Sequence, residues 1–192
     1  MHPIDKLRQW LDEEKLKGAK YAQHAVLSTQ GLNGQPHGRV IAIREIEQDK
    51  ILFFTQKRTR KVGEIEENSA AAITFWFERH AREVIIEGDA VVLSEAENEK
   101  YWHTYPEWAK IRFLSYAPTS GLPIENKQEL ENKRNEIESA HKDVQLPLSP
   151  DYCGIYVIPK RIVFYTYRLD ELSDVWEYRI NEADVVKIRL SP

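Results

Sequence analysis

Apolar residues recur at helical spacing over the first turns of the chain. Ile4, Leu7, Trp10 and Leu11 fall on one face, with Asp5 placed to cap the start and Gly18 to stop the run. This predicts a helix over 4–17. From residue 24 the period changes to two. HAVLST (24–29), GRVIAIREI (38–46), KILFFT (50–55), AAITFWFE (near 70–78) and EVIIEGDAVVLS (83–94) are rich in β-branched and aromatic residues and predict strands. NGQP, EQDK and ERHA between them read as hairpin turns. Ser94-Glu95-Ala96-Glu97 is a capping-box pattern that opens a helix running to about Tyr105, before Pro106. Residues 124–142 are polar and predict a solvated helix covering the sheet, and the tail returns to strands at 154–158, 161–167, 175–180 and 184–190. No repeat or long low-complexity linker interrupts this order. The pattern predicts a mainly β protein with peripheral α-helices, an antiparallel barrel forming one domain over 1–192.

Composition narrows the reading. A chain of 192 residues with 42 % apolar content can bury a sizeable core. A net charge of −4 with both signs interspersed argues against a general nucleic-acid-binding face. No window approaches eighteen apolar residues, so no membrane partner is expected. MHPIDKLRQW carries charges where a signal peptide needs its apolar stretch. The lone Cys153 allows no internal disulfide and no cysteine-rich metal site, and His80 and His103 have no second ligand at metal spacing; no metal is expected. The expected location is the cytoplasm.

Against that acidic balance, four of the five residues 57–61 are cationic: Lys57, Arg58, Arg60 and Lys61. They sit where a strand gives way to a helical pattern, with Thr59 as N-cap and Glu64, Glu66 and Glu67 toward the far end. Helix dipoles favour the opposite arrangement, anions first and cations last. An anion bound at the helix start would resolve the conflict, because backbone N–H groups, a hydroxyl and two cations would converge on it. A phosphate monoester suits that description.

The segments GRVIAIREI, FFTQKRTRKVGEIEENSAAAITFWF and REVIIEGDAVVLS resemble the pyridoxamine 5′-phosphate oxidase family. So do the leading helix ending at Gly18, the NGQP turn, the Tyr101–Pro106 helix end, APTSG and the final RLSP, so that the likeness spans nearly the whole chain. The resemblance implies an FMN-binding split β-barrel, with residues 1–20 as an N-terminal helix and 150–192 as dimerisation-type strands. It further implies a homodimer with the flavin at the interface and a small-molecule substrate. By that likeness Arg39 and the backbone of Val40, Ile41, Ala42 and Ile43 contact the flavin, and Arg44 replaces a lysine that reaches cofactor or substrate phosphate. Phe54 and Thr55 line the cofactor, and Thr59, Arg60 and Lys61 hold its phosphate. Thr119 and Ser120 match a pair that reaches the flavin from the other subunit, and Tyr101 matches a substrate-phosphate contact.

Departures from the family pattern cluster on the substrate side. Glu83 stands in place of a flavin-contacting glutamine, and Tyr165 in place of a tryptophan. An arginine and a serine that accompany the Tyr101 position are here Tyr105 and Ala109. The Arg-x-His-Asp-Arg signature is reduced to Glu171-Leu172-Ser173-Asp174-Val175. A substrate phosphate without its arginine and histidine is an under-paired dianion. Three functions therefore follow from the sequence: an FMN-dependent oxidase of a pyridoxamine- or pyridoxine-phosphate-like amine or alcohol, a flavoprotein of the same fold with a different substrate, or a non-catalytic flavin-binding dimer. No residue is assigned as catalytic.

Overall fold

The structure, a computed structural model, describes residues 1–141, 145–181 and 184–192; residue 142, the last of the predicted polar helix, lies outside them. Helix α1 (Pro3–Leu16) is followed by strands β1 (His24–Gln30), β2 (Pro36–Ile46) and β3 (Ile51–Gln56). Helix α2 (Arg60–Glu67) leads to β4 (Ala70–Phe77) and β5 (Arg82–Val92). Helices α3 (Glu95–His103), α4 (Glu107–Tyr116) and α5 (Lys127–Ala140) precede β6 (Tyr152–Thr166), β7 (Asp174–Ile180) and β8 (Val185–Leu190). The strands form one sheet in the order β3-β2-β1-β4-β5-β6-β7-β8, and a further β3–β6 pairing closes six of them into a barrel. The antiparallel barrel is the one the strand pattern predicts, and closure leaves only β7 and β8 as an extension.

Three differences from the sequence reading have local causes. The strands predicted at 154–158 and 161–167 are one strand, β6, which Pro159 does not break. Helix α4 has no predicted counterpart; Pro106 both ends the preceding turn and occupies its N-cap. At ERHA the link is a 3₁₀ turn, Glu78–His80, closed by Ala81 in the left-handed region at φ 49°. The capping box at Ser94 and Glu97 is formed as its pattern predicts.

Contacts divide the chain into two compact units, Met1–Phe53 with Glu64–Val91 and Ile155–Pro192, and Phe54–Gly63 with Val92–Gly154. In the first, Ile4, Leu7, Trp10 and Leu11 of α1 are buried, and Trp10 meets Phe164 edge-on at 5.0 Å. Glu14, on the same helix, is buried and accepts hydrogen bonds from Arg79 N (2.8 Å) and His80 Nδ1 (2.7 Å). That gives His80 a structural partner. In the second unit Trp102 is fully buried with Phe113, Ala117 and Tyr152, and its indole N–H donates to Leu146 O at 3.1 Å.

Lys6 lies among the aromatic residues of the first unit, its Nζ 4.4 Å from the Phe164 ring and 4.8 Å from that of Trp10. Burial, then Lys187 and Arg82, push its pKa down from 10.5 to about 8, with Asp174 opposing. Between those values the unfolded chain holds a proton that the folded chain has lost, so stability rises with pH across that window. The stability of wild type relative to Lys6→Met should therefore increase from pH 7.5 to pH 10 in urea unfolding. A difference that stays flat over this range would contradict the assignment.

Candidate functional site

Strand β3 delivers Phe54 and Thr55 to the corner where α2 begins, and Thr59 directly precedes that helix. Lys61 Nζ is 2.9 Å from Thr55 Oγ1 and 3.2 Å from Thr59 Oγ1, so two uncharged oxygens brace the ammonium group. The Thr59 hydroxyl donates to Gln56 O at 2.7 Å. No acidic residue stands in the first turn of α2. The cationic run is thus divided by role. Arg58 lies 3.0 Å from the buried carboxylate of Asp151, whose carbonyl accepts from Lys57 N at 2.8 Å, and these two contacts anchor the loop. Arg60 is exposed and Lys61 half-buried, next to hydroxyls. Cations, hydroxyls and an acid-free helix start are the donor set of a phosphate monoester, so the residues present fit that group.

The same unit gathers an aromatic wall. The Phe54 ring stacks on Tyr152 at 4.6 Å and 12°, with Tyr101 at 5.3 Å and Tyr105 at 6.4 Å. Gly154 makes this packing possible, since a Cβ there would lie 2.7 Å from Phe54 Cε1 and 2.8 Å from Leu93 Cδ2. Gln56, which the sequence reading did not single out, donates to Tyr116 Oη (3.1 Å) and accepts from Ser120 Oγ (3.1 Å). Ser120 is thereby tied to the strand that carries Thr55, within its own chain. Thr119 turns back to Tyr116 O at 3.3 Å.

In the other unit β2 sorts its candidates by alternation. Ile41 and Ile43 point into the core, leaving only their backbone for a ligand, while Val40, Ala42 and Arg44 are exposed on the opposite face. Arg39 shares the inward face. Its Nη1 donates to Thr29 Oγ1 (2.6 Å) and, at 3.4 Å, to Leu27 O, and its Nη2 to Glu64 Oε2 (3.1 Å). Glu64 also accepts from Thr29 Oγ1 and pairs with His37 Nδ1, both at 2.5 Å. Burial pushes the Glu64 carboxyl up, but hydrogen bonds from Thr29, His37 and Arg39 outweigh it and leave its pKa below the ordinary carboxylate value. Nothing in the local sequence marks Glu64, because its partners lie 25 to 35 residues away.

Glu83 on β5 pairs across the sheet with Trp76 of β4. Tyr167 connects it to Tyr165: the two tyrosine rings are 4.3 Å apart, and Tyr167 Oη makes a long 3.5 Å hydrogen bond to Glu83 Oε2. Trp76 meets Tyr167 edge-on at 5.5 Å. Burial and then the Glu83 carboxylate hold the Tyr167 phenol above its ordinary pKa. Trp76 and Tyr167 thus join two sequence-predicted positions into one aromatic and acidic patch. At 171–175, Glu171 pairs with Arg168 (3.3 Å), and Asp174 with Arg189 (2.7 Å) and Arg168 (3.5 Å). The described residues include no cluster of three or more metal-ligating side chains and no helix long and apolar enough to cross a membrane.

A closed six-stranded antiparallel barrel defines a split-barrel protein. A model of the pyridoxamine 5′-phosphate oxidase family matches residues 11–139, and the chain belongs to that family. A pyridoxine/pyridoxamine 5′-phosphate oxidase from Actinobacillus pleuropneumoniae serotype 3 is 32 % identical over 190 residues, covering 99 % of this chain and 89 % of its relative. The protein of the same name from Nostoc punctiforme is 28 % identical over 193 residues, covering 100 % and 89 %. Among solved structures, PhzG from Burkholderia lata in complex with tetrahydrophenazine-1-carboxylic acid superposes with a TM-score of 0.87 at 24 % identity, covering 100 % of this chain and 93 % of that one. A pyridoxamine 5′-phosphate oxidase-related, FMN-binding protein from Nostoc punctiforme gives 0.79 at 19 %, covering 98 % and 96 %.

Proposed function

We propose that the protein is an FMN-dependent oxidoreductase, acting as a homodimer on a pyridoxamine- or pyridoxine-phosphate-like amine or alcohol. The observation that carries this reading is the corner at Thr55, Thr59 and Lys61, where hydroxyls and an ammonium group sit at the start of an acid-free helix turn. Arg60 and Lys61 would hold the phosphate of FMN. Bound FMN supplies hydride acceptance from a carbon bearing an amine or alcohol and reoxidation by O₂. The protein's own share is to bind, orient and shield. Family membership and relatives named as oxidases support the activity.

An uncovered apolar strip supports the dimer. Val40 is 66 % exposed, its cross-strand neighbour Val26 41 %, and Trp76 two strands from β2 55 %. Side chains of this kind on one barrel face fit a second copy of the chain.

A second reading keeps the flavin chemistry and changes the substrate. Glu171 and Asp174, both paired with arginines, occupy the stretch where the family binds a phosphorylated substrate, and Tyr105 and Ala109 bring no positive charge. A less anionic substrate suits that lining. PhzG, a chain of this fold, is solved in complex with tetrahydrophenazine-1-carboxylic acid, which carries no phosphate. The visible spectrum of the purified protein, with FMN added, tests the common premise; a protein that takes up no flavin refutes both readings. Hydrogen peroxide release with pyridoxamine 5′-phosphate is expected under the first reading, and its absence from a flavin-loaded protein selects the second.

A further inference from the structure

We infer that the cleft between α4 and α5 is a binding site for an aromatic monocarboxylate, with Trp108 stacking on its ring and Arg112 gripping its carboxylate. Every residue that lines the cleft belongs to one compact unit, and the inference stands apart from the flavin reading. The cleft has a volume of about 1080 Å³, the scale of a small-molecule site. Helix α5 explains why it stays open. None of its 14 residues is buried, and the stripe it turns to the cleft is mostly charged. Lys127 and Arg134 both pair with Glu131, at 3.5 and 3.4 Å, which holds these side chains along their own helix. The apolar lining comes from Leu130 of α5 and from Trp108 and the buried Ile111 of α4.

Trp108 and Arg112 stand four residues apart on α4, so their side chains are neighbours on one helix face. The Trp108 side chain is 67 % exposed, a large ring left to solvent at the edge of a cleft. The Arg112 guanidinium makes no hydrogen bond or ion pair among the described residues, whereas Lys127 and Arg134 are engaged by Glu131. A planar fork of N–H donors is therefore uncommitted, and a carboxylate matches it with two parallel hydrogen bonds. Charge selects the rest. Glu107, Glu131 and Glu138 balance Arg112, Lys127 and Arg134, so the lining sums to zero. A dianion would meet three carboxylates and a single uncommitted cation. One carboxylate on a flat apolar ring is matched in both charge and surface. The cleft reaches the neighbourhood of Thr55 at Tyr116, whose Oη accepts from Gln56 Nε2 at 3.1 Å.

The test is isothermal titration of the purified protein with naphthoate, its neutral counterpart naphthamide, and naphthyl phosphate, each with and without saturating FMN. Naphthoate is expected to bind one per chain whether or not FMN is present, and more tightly than naphthyl phosphate. Arg112→Gln should weaken naphthoate about tenfold and naphthamide about twofold at most, because it removes a charge-assisted contact that the amide never makes. Trp108→Ala should weaken both about tenfold through the lost stacking surface. Arg134→Gln, whose cation Glu131 already holds, should change naphthoate affinity about twofold at most. Trp108, Arg112 and Arg134 are exposed, and circular dichroism confirms that the variants fold. Failure of wild type to bind naphthoate would overturn the proposal, as would equal losses of acid and amide in Arg112→Gln. Naphthyl phosphate binding as tightly as naphthoate would overturn the carboxylate assignment. Binding that FMN displaces and that neither Trp108→Ala nor Arg112→Gln alters would place the ligand elsewhere. A Trp108→Ala variant that splits a dimer without changing naphthoate affinity would give the cleft to a second copy of the chain.

Discussion

Replacing Arg60 and Lys61 together by alanine is expected to weaken FMN binding about a hundredfold or more while changing riboflavin affinity about threefold at most. A hydrogen bond to a charged group contributes about 1.5–3 kcal/mol, and two such groups act here on one phosphate. Their effects need not add, because both address the same ligand. The double variant should fold normally. Arg60 is exposed, and the contacts of Lys61 with Thr55 and Thr59 are to hydroxyls that water can serve as well. Arg58 is the internal control: it is spent on Asp151, so Arg58→Ala should lower thermal stability by about 1 kcal/mol or less and leave the ratio of FMN to riboflavin affinity unchanged. Isothermal titration with the two flavins decides the matter, and equal losses for both would refute a phosphate site at this corner.

The second large effect concerns the barrel wall. Gly88 of β5 pairs with Ala71 of β4 on one side. On the other, a Cβ would come within 1.9 Å of Ile158 O, 2.8 Å of Ile158 C and 3.0 Å of Pro159 Cα. All three are backbone atoms of β6, so no rotamer change can relieve the clash; the strand itself must move. Gly88→Ala should cost about 3 kcal/mol, at the upper end of overpacking penalties, or prevent folding outright. Gly63 gives the contrast. It lies inside α2 with nothing within 4 Å of a built Cβ, and Gly63→Ala should stabilise by about 0.5–1 kcal/mol through helix propensity. Urea unfolding of the two variants would show a large loss beside a small gain. Similar changes in both would mean that β5 and β6 do not approach as described.

Much of this architecture is legible from local chemistry. The strand runs alternate or are β-branched and aromatic along their length, and Ser94 with Glu97 announces the start of α3. Helix α4 escaped because EWAKIRFLSY follows a proline and its apolar residues scatter around the helix instead of forming one stripe. The two predicted tail strands are one because Pro159 sits in β6 without interrupting it, and only its neighbours in the sheet could reveal that.

The candidate site divides along the same line. Thr55, Thr59, Arg60 and Lys61 lie within seven residues, so the sequence by itself determined that hydroxyls and cations gather at the head of a helix whose acids come late. It also determined that the family's substrate-binding cations are missing at 171–175. The tertiary structure decided the rest: that Arg58 is spent on Asp151, that Arg39 and Arg44 stand on opposite faces of β2, and that Glu64 clasps Thr29, His37 and Arg39. The physical reason is range. Dipoles, capping and alternation act over a few residues and can be read along the chain, whereas a buried carboxylate is defined by whichever distant donors the closed barrel brings to it.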